Sequence, residues 1–499
     1  MTVLAHRATA SDEVTRDALA VLQPGFEGTT APAWLLRRIG EGLTAVGLFG
    51  RNIASPEQLA ALTAQLRAER EDVLVAIDEE GGDVTRLEVR GGSSFPGNLA
   101  LGAVDDTALT RGVAHEMGRR LAECGVNLNW APSADVNSNP DNPVIGVRSF
   151  GADTHLTARH TAAYVEGLQA AGVAACTKHF PGHGDTNVDS HHALPRIDVD
   201  LDTLSARELV PFRAAIEAGT KAVMSAHILV PALDPTRPAT LSPQILTGLL
   251  RKELGYEGLI VTDGMEMNAI AGTYGIERGS VLAIAAGADA ICVGGGLADE
   301  DTVLRLRDAL VAAVREGTLP QERLADAAAR VRALAAWTVA ARPDARPEGG
   351  RTSGIGLAAA RRALAVTGSA GPLTRAYVAT LTPVANIAVG DETPWGLADE
   401  LAALVPGTVS GRYPQGATAA DVLAAAGDRT VVAVVRDAHR HPWMTEALDA
   451  LVEARPDTVV VEMGLPRAEP RGALHIATHG AARVCGRAAA EVIAAGAGV

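Results

Sequence analysis

The sequence has few cysteines, no block of Lys and Arg residues and no long apolar run. Its 4 cysteines, Cys124, Cys176, Cys292 and Cys485, are far apart in a chain of 499 residues. Three of them lie in or beside apolar runs, which favours reduced, buried thiols over a disulfide framework or a sulfur-bound zinc site. We therefore expect no chemistry that depends on sulfur and no cofactor.

Charge and hydropathy exclude further classes of protein. The formal net charge is −15, which argues against binding nucleic acid or an anionic membrane surface through bulk electrostatics. No segment offers 18 uninterrupted apolar residues, and the first residues contain no apolar stretch of signal-peptide length. We expect a cytoplasmic protein whose partner is a small molecule.

From Leu19 to about Gly295 the sequence repeats a short apolar run, a polar or glycine-rich loop, and a longer segment with helical spacing. The eight predicted strands are Leu19–Leu22, Ala45–Phe49, Val73–Ile77, Val126–Trp130, Val173–Cys176, Ala222–Ser225, Leu259–Thr262 and Ala288–Val293. Alternating β and α segments predict an α/β fold with a parallel sheet. Polar clusters follow several strands, which favours a (β/α)8 barrel of the TIM type over a doubly wound sheet.

A second, smaller α/β domain is predicted after the barrel. The chain is too long for one ordinary domain, and residues 341–355 have the Pro, Gly and charge content of a linker. Tyr377–Leu381, Thr430–Val435 and Thr458–Val461 are predicted strands beyond it. We therefore predict a catalytic barrel over residues 1–340 and an α/β sandwich over residues 356–499.

One stretch concentrates groups that titrate. Residues 178–192, KHFPGHGDTNVDSHH, follow a predicted buried strand and contain four histidines, two aspartates and a lysine. Loops at the carboxyl ends of barrel strands carry the chemistry of such folds. So many titratable groups are costly for folding, and this stretch therefore predicts a functional site.

Three other predicted strands also end in polar loops. DEEGGDVTR follows the third strand as residues 78–86, and an Asn-rich and Pro-rich loop follows the fourth over residues 131–151. The seventh strand delivers Asp263, followed by Gly264 and Glu266. A carboxylate directly at a strand end is well placed to accept hydrogen bonds from sugar hydroxyls, although each loop taken alone is weak evidence.

Together with Leu48–Asn52, these motifs resemble in kind and order those of glycoside hydrolase family 3, in the branch of β-N-acetylglucosaminidases whose motif ends in Asp-Ser-His. The resemblance implies that Asp263 is the nucleophile and that His191, paired with Asp189, is the general acid/base. It also implies sugar-binding roles for Asp78, Arg86, Arg148, Lys178 and His179. Many relatives have two consecutive acids where this chain has Asp263-Gly264, and Glu266 is the nearby rival.

The chemistry accounts for these residue types. Retaining hydrolysis needs a carboxylate that attacks the anomeric carbon and a second group, about 5 Å away, that protonates the leaving oxygen. A histidine with an ordinary pKa of about 6.5 can give and take this proton near neutrality, while Asp189 fixes its tautomer. We expect Gly182 and Gly184 to leave the loop free to move.

Several alternatives remain. The cluster His179, His183, Asp185, Asp189 and His191 has the residue types of a zinc site. Against this, the i, i+4 pair His179 and His183 is split by Pro181-Gly182, so His183 and Asp185 are interpreted as loop-shaping hydrogen-bond partners. A β-glucosidase of the same family and a non-catalytic sugar-binding barrel are also open. The resemblance implies substrates derived from peptidoglycan or chitin.

Phosphate is a further alternative acceptor. A histidine base is neutral after the first step and does not repel an anion, so a phosphorylase reaction is compatible with the dyad.

Two other segments are weak candidates for functional sites. Gly294-Gly295-Gly296 is a possible phosphate cradle, and residues 436–443 are interpreted as a polar surface turn, with an approach to the open face of the barrel as the alternative.

Overall fold

The computed structural model describes residues 12–186, 188, 194–342, 354–383 and 392–496. The chain divides into two compact units. The first contains Met1–Glu79, Thr110–Pro143 and Ala152–Gly350, and the second contains Glu80–Leu109, Val144–Gly151 and Arg351–Val499. The second unit thus includes two segments from the N-terminal half of the sequence. Most of the predicted linker, residues 343–353, lies outside the described residues.

The strands of the first unit are β1 Leu22–Pro24, β2 Ala45–Leu48, β3 Leu74–Ile77, β4 Leu128–Asn129, β5 Ala174–Phe180, β6 Ala222–Ser225, β7 Leu259–Thr262 and β8 Ile291–Val293. The predicted first strand is wrong at its beginning, because residues 12–20 are helical and β1 begins only at Leu22. Leu19, Ala20 and Val21 are buried, and a short apolar run does not distinguish a buried helical turn from a strand.

Helices follow the strands in alternation. Up to residue 342 they are α1 (residues 12–20), α2 Ala33–Glu41, α3 Pro56–Glu69, α4 Asn98–Val104, α5 Thr107–Glu123, α6 Thr154–Ala170, α7 Leu201–Thr203, α8 Leu209–Glu217, α9 Asn268–Tyr274, α10 Ile276–Ala286, α11 Glu300–Glu316 and α12 Gln321–Ala340, with a wider helical segment at Gln244–Glu253. Helix α3 shows why these segments fold locally. Its N-cap Ser55 accepts a hydrogen bond from the backbone N–H of Gln58, and Pro56 occupies its first turn.

The strand pairing of the first unit is parallel throughout. Strands β2 to β7 are neighbours in sequence order, and β1 pairs with β8. A further parallel bridge joins Val261 in β7 to Ala290, just before β8. The predicted α/β fold with a parallel sheet is confirmed, and the unbroken strand order does not match a doubly wound sheet, in which the order reverses. The carboxyl ends of these strands share one edge.

Alternate strand residues pack into one core. Leu74 and Ala76 of β3 belong to the same buried cluster as Leu259 and Val261 of β7, as the two-residue period of a strand requires. Helix α12 adds Val331, Leu334 and Ala335 to this cluster. Thr338 of α12 accepts a hydrogen bond from Asn127, which immediately precedes β4, so α12 lies at the amino ends of the strands.

The second unit contains a six-stranded sheet in the order β11, β10, β12, β13, β14, β9, in which β9 alone is antiparallel. Its strands are β9 Ala365–Gly368, β10 Ala376–Thr382, β11 Val409–Pro414, β12 Thr430–Val435, β13 Val459–Glu462 and β14 Leu474–Ala477, and its C-terminal helices are α13 Ile355–Arg362, α14 Ala398–Leu404, α15 Ala419–Ala426, α16 Pro442–Ala454 and α17 Arg483–Ala495. Val432 packs with Leu401 of α14, whereas Val431 packs with Leu448 of α16. Helices therefore cover both faces of the sheet.

All four cysteines are free and buried, which confirms the prediction of reduced thiols. Among the described residues, no helix has the length and apolar character that crossing a bilayer requires.

Candidate active site

Strand β5 carries the first residues of the histidine-rich motif. The predicted end at Cys176 is wrong, because β5 continues through Lys178 and His179 to Phe180. The pairing with β6 resumes at Phe180 after a register shift. The polar residues Lys178 and His179 indicated a loop in the sequence. In the structure they are the last part of the strand, and their side chains belong to the candidate site. The Lys178 ammonium donates a hydrogen bond of 2.5 Å to Asp78, directly after β3.

The charges of Asp78, Lys178 and Asp263 all act on one buried thiol. Burial raises the pKa of Cys176 above its usual range; the charge of Lys178 lowers that pKa, and those of Asp78 and Asp263 raise it further. Three predicted site residues from three strand ends therefore lie within electrostatic reach of the same side chain. The structure brings together the predicted nucleophile and two predicted sugar-binding residues.

Asp135 organises the motif and was missed from the sequence. It lies in the loop after β4, is fully buried, and accepts hydrogen bonds on both carboxylate oxygens. Oδ1 accepts from the backbone N–H groups of His179 at 3.2 Å and His183 at 2.7 Å. Oδ2 contacts His179 Nδ1 at 2.7 Å and accepts from the Ser133 hydroxyl at 2.9 Å. The available signal in the sequence was an acidic residue in the loop that follows a predicted strand.

The pKa values agree with this arrangement. Burial alone raises the pKa of Asp135, but the charge of His179, its hydrogen bond and the charge and amide of His183 together lower it below the usual range. Burial, followed by the charge of His179, lowers the pKa of His183 to about 4. His183 is therefore neutral near pH 7, and its Nδ1 lies 3.1 Å from the Thr186 hydroxyl, consistent with the predicted loop-shaping role.

The loop beyond His183 is held by an ion pair. Asp185 accepts a hydrogen bond of 2.6 Å from Arg207, and Arg207 also pairs with the buried Glu208 at 2.6 Å. Burial raises the pKa of Glu208 to about 7, against the opposing charge of Arg207.

Gly182 and Gly184 do not simply loosen this loop. A Cβ at Gly184 would lie 1.7 Å from the Val136 carbonyl oxygen. Gly182 has a φ of +122°, and a Cβ there would lie 2.8 Å from Glu208 Oε2. The two glycines therefore permit close packing of the backbone, and the expectation that they leave the loop free to move stays a prediction.

Asp263 stands at the carboxyl end of β7. Its Oδ1 accepts a hydrogen bond of 2.8 Å from the Gly264 N–H. The turn is supported by His227, whose Nε2 contacts the Gly264 carbonyl at 2.9 Å while its Nδ1 contacts the Thr240 hydroxyl at 2.9 Å. His227 is buried and was not identified from the sequence, where a single histidine after a strand carries no distinctive pattern.

Glu266, the rival nucleophile, is engaged elsewhere. Its Oε1 accepts hydrogen bonds from the backbone N–H groups of Gly294 at 2.9 Å, of Gly295, and of Gly296 at 3.4 Å. The glycine tract that resembled a phosphate cradle therefore holds a carboxylate of the chain itself. This geometry favours Asp263 over Glu266 as the attacking group.

Arg148 and Arg86 belong to the second unit. Arg148 forms a two-pronged ion pair with Glu80, at 3.0 and 2.7 Å, and both side chains are buried. Arg86 is half-buried. Their sugar-binding roles stay predictions.

Arg436 is largely buried and pairs with the buried Asp83, so the interpretation of a polar surface turn is wrong for this residue.

The predicted acid/base dyad, His191 and Asp189, lies outside the described residues. These two residues were also among the five considered as zinc ligands. Within the described part of the chain, no group of three or more His, Cys, Asp or Glu side chains is arranged to hold a metal ion.

Comparison with known proteins identifies the family. The sequence model described as "Glycosyl hydrolase family 3 N terminal domain" matches residues 36–334. The chain belongs to glycosyl hydrolase family 3. Beta-hexosaminidase A from Pseudoalteromonas piscicida is 38% identical over 312 residues, which are 58% of this chain and 52% of that protein. The chain thus spans about half the length of this relative.

Solved structures extend the similarity. A family 3 β-N-acetylglucosaminidase from Paenibacillus sp. str. FPU-7 is 35% identical, covers 97% of both chains and has a TM-score of 0.87. NagZ from Neisseria gonorrhoeae, solved in complex with N-trifluoroacetyl-D-glucosamine, is 30% identical, covers 69% of this chain and 96% of its own, and has a TM-score of 0.58. The predicted family and its N-acetylglucosaminidase branch are confirmed.

Proposed function

We propose that this family 3 member is a retaining exo-β-N-acetylglucosaminidase. The observation that carries the proposal is the cluster at the carboxyl ends of β3, β5 and β7, where Asp263 shares one electrostatic environment with the Lys178–Asp78 ion pair. The names of the relatives, β-hexosaminidase and β-N-acetylglucosaminidase, support the substrate class.

Each described residue has a chemical task in this proposal. The Asp263 carboxylate attacks the anomeric carbon and forms a glycosyl ester, while the aglycone oxygen departs with a proton. Lys178 donates a hydrogen bond to Asp78 and orients its carboxylate, which accepts hydrogen bonds from sugar hydroxyls. The Asp135 carboxylate accepts a hydrogen bond from His179 Nδ1 and so orients the ring that we assign to sugar binding.

We assign proton transfer to His191, oriented by Asp189. In the first step the imidazolium donates its proton to the aglycone oxygen, and in the second the neutral imidazole removes a proton from water as the ester is cleaved. The described chain before these residues is held by side-chain contacts, since Asp135 accepts from the His183 N–H and Arg207 pairs with Asp185.

A chromogenic assay tests the proposal. Wild-type protein should release 4-nitrophenol from its β-N-acetylglucosaminide, and Asp263→Asn should lose almost all turnover while retaining sugar binding. Asp141→Asn is the matched control, because Asp141 is an exposed acid in the loop after β4. Near-normal rates in Asp263→Asn would exclude it as the nucleophile. Binding without any release of nitrophenol would favour a non-catalytic sugar-binding protein.

Finer features are also proposals. We expect hydrolysis as the baseline reaction, with phosphate as a competing acceptor that yields sugar 1-phosphate. His191→Glu should suppress the phosphate effect more than hydrolysis, because a carboxylate repels the anion. If millimolar phosphate neither changes the rate nor yields sugar 1-phosphate, the phosphorylase alternative is wrong.

We further propose that the eight strands close into a (β/α)8 barrel. The β1–β8 pairing and the Val261–Ala290 bridge support closure of the sheet.

A further inference from the structure

A cavity of about 620 Å³ lies in the first unit, at the opposite end of the strands from Asp263. Gly125 and Asn127 line it just before β4 begins, and Gly172 lines it just before β5. Catalytic groups of barrel enzymes stand at the carboxyl ends of the strands. This cavity is therefore separate from the sugar site and of a size that accommodates a small molecule.

The cavity wall carries more positive than negative charge. Arg119 lines it but is compensated by Glu116, at 2.7 Å, and by Glu123. Arg67 and Arg342 also line it. Neither of these two arginines forms an ion pair with an acidic side chain among the described residues.

The two arginines are close enough to interact unfavourably. Burial lowers the pKa of Arg67 to about 10, with a further contribution from the charge of Arg342. The Arg67 guanidinium donates to the Gly125 carbonyl, but its Nε is buried and has no hydrogen-bond partner among the described residues. An anion placed between the two guanidinium groups would relieve their repulsion and accept hydrogen bonds from both.

Much of the remaining wall is apolar, with Thr63, His115 and Thr338 among its polar residues. It is formed largely by small side chains, Ala60, Ala64, Ala68, Ala122, Val126, Ala170 and Ala171. A lone inorganic anion leaves this surface in contact with water, whereas a ligand with an apolar body buries it, which contributes favourably in proportion to the area covered. The lining thus combines one cationic edge with a compact apolar floor.

We propose that this cavity is a binding site for a small anionic ligand with a compact apolar body, whose phosphate or carboxylate group contacts Arg67 and Arg342. The site does not depend on glycosidase activity, and the proposal stands or falls independently of the proposed function.

Isothermal titration of the full chain tests the site with four probes: phenyl phosphate, benzoate, inorganic phosphate and phenol. We expect at least one aromatic anion to bind more tightly than both inorganic phosphate and phenol. The better aromatic anion distinguishes a phosphate ester from a carboxylate as the preferred group.

Arg342→Gln removes one cationic group whose side chain is exposed, so the fold should be retained. We expect this variant to bind the better aromatic anion about tenfold more weakly, the effect of losing one charge-assisted hydrogen bond. Arg67→Met should weaken binding further. The control Arg305→Met removes an exposed ion pair between Arg305 on α11 and Glu277 on α10. This variant should bind the anion like the wild type. Arg342→Gln should leave the rate of sugar release unchanged.

Three results would overturn the proposal. The first is an equal dissociation constant for the better aromatic anion in the wild type and in Arg342→Gln. The second is that neither aromatic anion binds at millimolar concentration. The third is that inorganic phosphate binds as tightly as the aromatic anions or more tightly, which would show that the apolar part of the wall plays no part.

Discussion

Replacing Asp135 by Asn tests whether one buried carboxylate organises the sugar-binding side of the site. Asn has nearly the volume of Asp, so packing is preserved while the charge and one acceptor are lost. If the amide oxygen keeps the backbone N–H groups of His179 and His183, the amide NH2 faces the Ser133 hydroxyl and His179 Nδ1. His179 must then accept at Nδ1 and carry its proton on Nε2, the opposite tautomer.

The size of the effect follows from the two hydrogen bonds to Asp135 Oδ2. Both of them, at 2.7 and 2.9 Å, are weakened or reversed in the variant, and hydrogen bonds to a charged group contribute about 1.5–3 kcal/mol each. We expect the free energy of unfolding at pH 7 to fall by about 2–4 kcal/mol. We also expect kcat/KM to fall roughly 10- to 100-fold, because the His179 ring loses the carboxylate that orients it for sugar binding.

Urea denaturation and steady-state kinetics measure both effects. The pKa of Asp135 is lowered in the folded protein, so its stabilisation is present above the unfolded pKa of about 3.9 and is lost as pH falls below that value. The difference between wild type and Asp135→Asn should therefore be full at pH 7 and shrink below pH 4. Asp141→Asn should show neither effect. A variant that is as stable and as active as the wild type at pH 7 would refute the reasoning.

Three further changes test neighbouring features. Gly184→Ala should reduce the free energy of unfolding by about 1–3 kcal/mol or more through the clash with Val136, whereas Gly296→Ala, with no atom within 4 Å of its Cβ, should be neutral in the same denaturation assay; equal stabilities would contradict the packing role. The pKa of Glu208 is raised to about 7 in the folded protein. Its contribution to stability is therefore full below the unfolded pKa of about 4.3 and is lost as pH rises to about 7. Across that range the free energy of unfolding of the wild type should fall by about 2–3 kcal/mol relative to that of Glu208→Gln. A constant difference across those pH values would exclude this titration. Glu266→Gln keeps an acceptor for the glycine N–H groups and should lower kcat less than tenfold in the chromogenic assay; a loss as large as that of Asp263→Asn would reopen its assignment as nucleophile.

The strand ends of the first unit could be predicted because apolar runs and polar loops alternate clearly. Asp78, Lys178 and Asp263 follow or end such runs, and the structure brings them to one edge. The exceptions have local causes. Leu19 and Ala20 are apolar but helical, because hydropathy alone does not distinguish a buried helical turn from a strand. Lys178–Phe180 belongs to β5 although Lys178 and His179 are polar.

Long-range partners were not predictable from the sequence. Asp135 contacts His179 and His183, which are 44 and 48 residues away, and Glu266 receives N–H groups from a glycine tract 28 to 30 residues later. Neither spacing has a local signature. The close approaches of Gly182 and Gly184 were not predictable for the same reason, because the groups that they approach, Glu208 and Val136, are distant in sequence.

The most direct test of the central claim is to trap the glycosyl-enzyme intermediate. A 2,4-dinitrophenyl β-N-acetylglucosaminide needs little protonation of its leaving group, so His191→Gly should still undergo the first step while the second, which requires a base, becomes slow. Rapid quenching and peptide mass spectrometry should then find one N-acetylhexosaminyl group on Asp263. A label on another residue, or turnover without any label and with inversion at the anomeric carbon, would contradict the account.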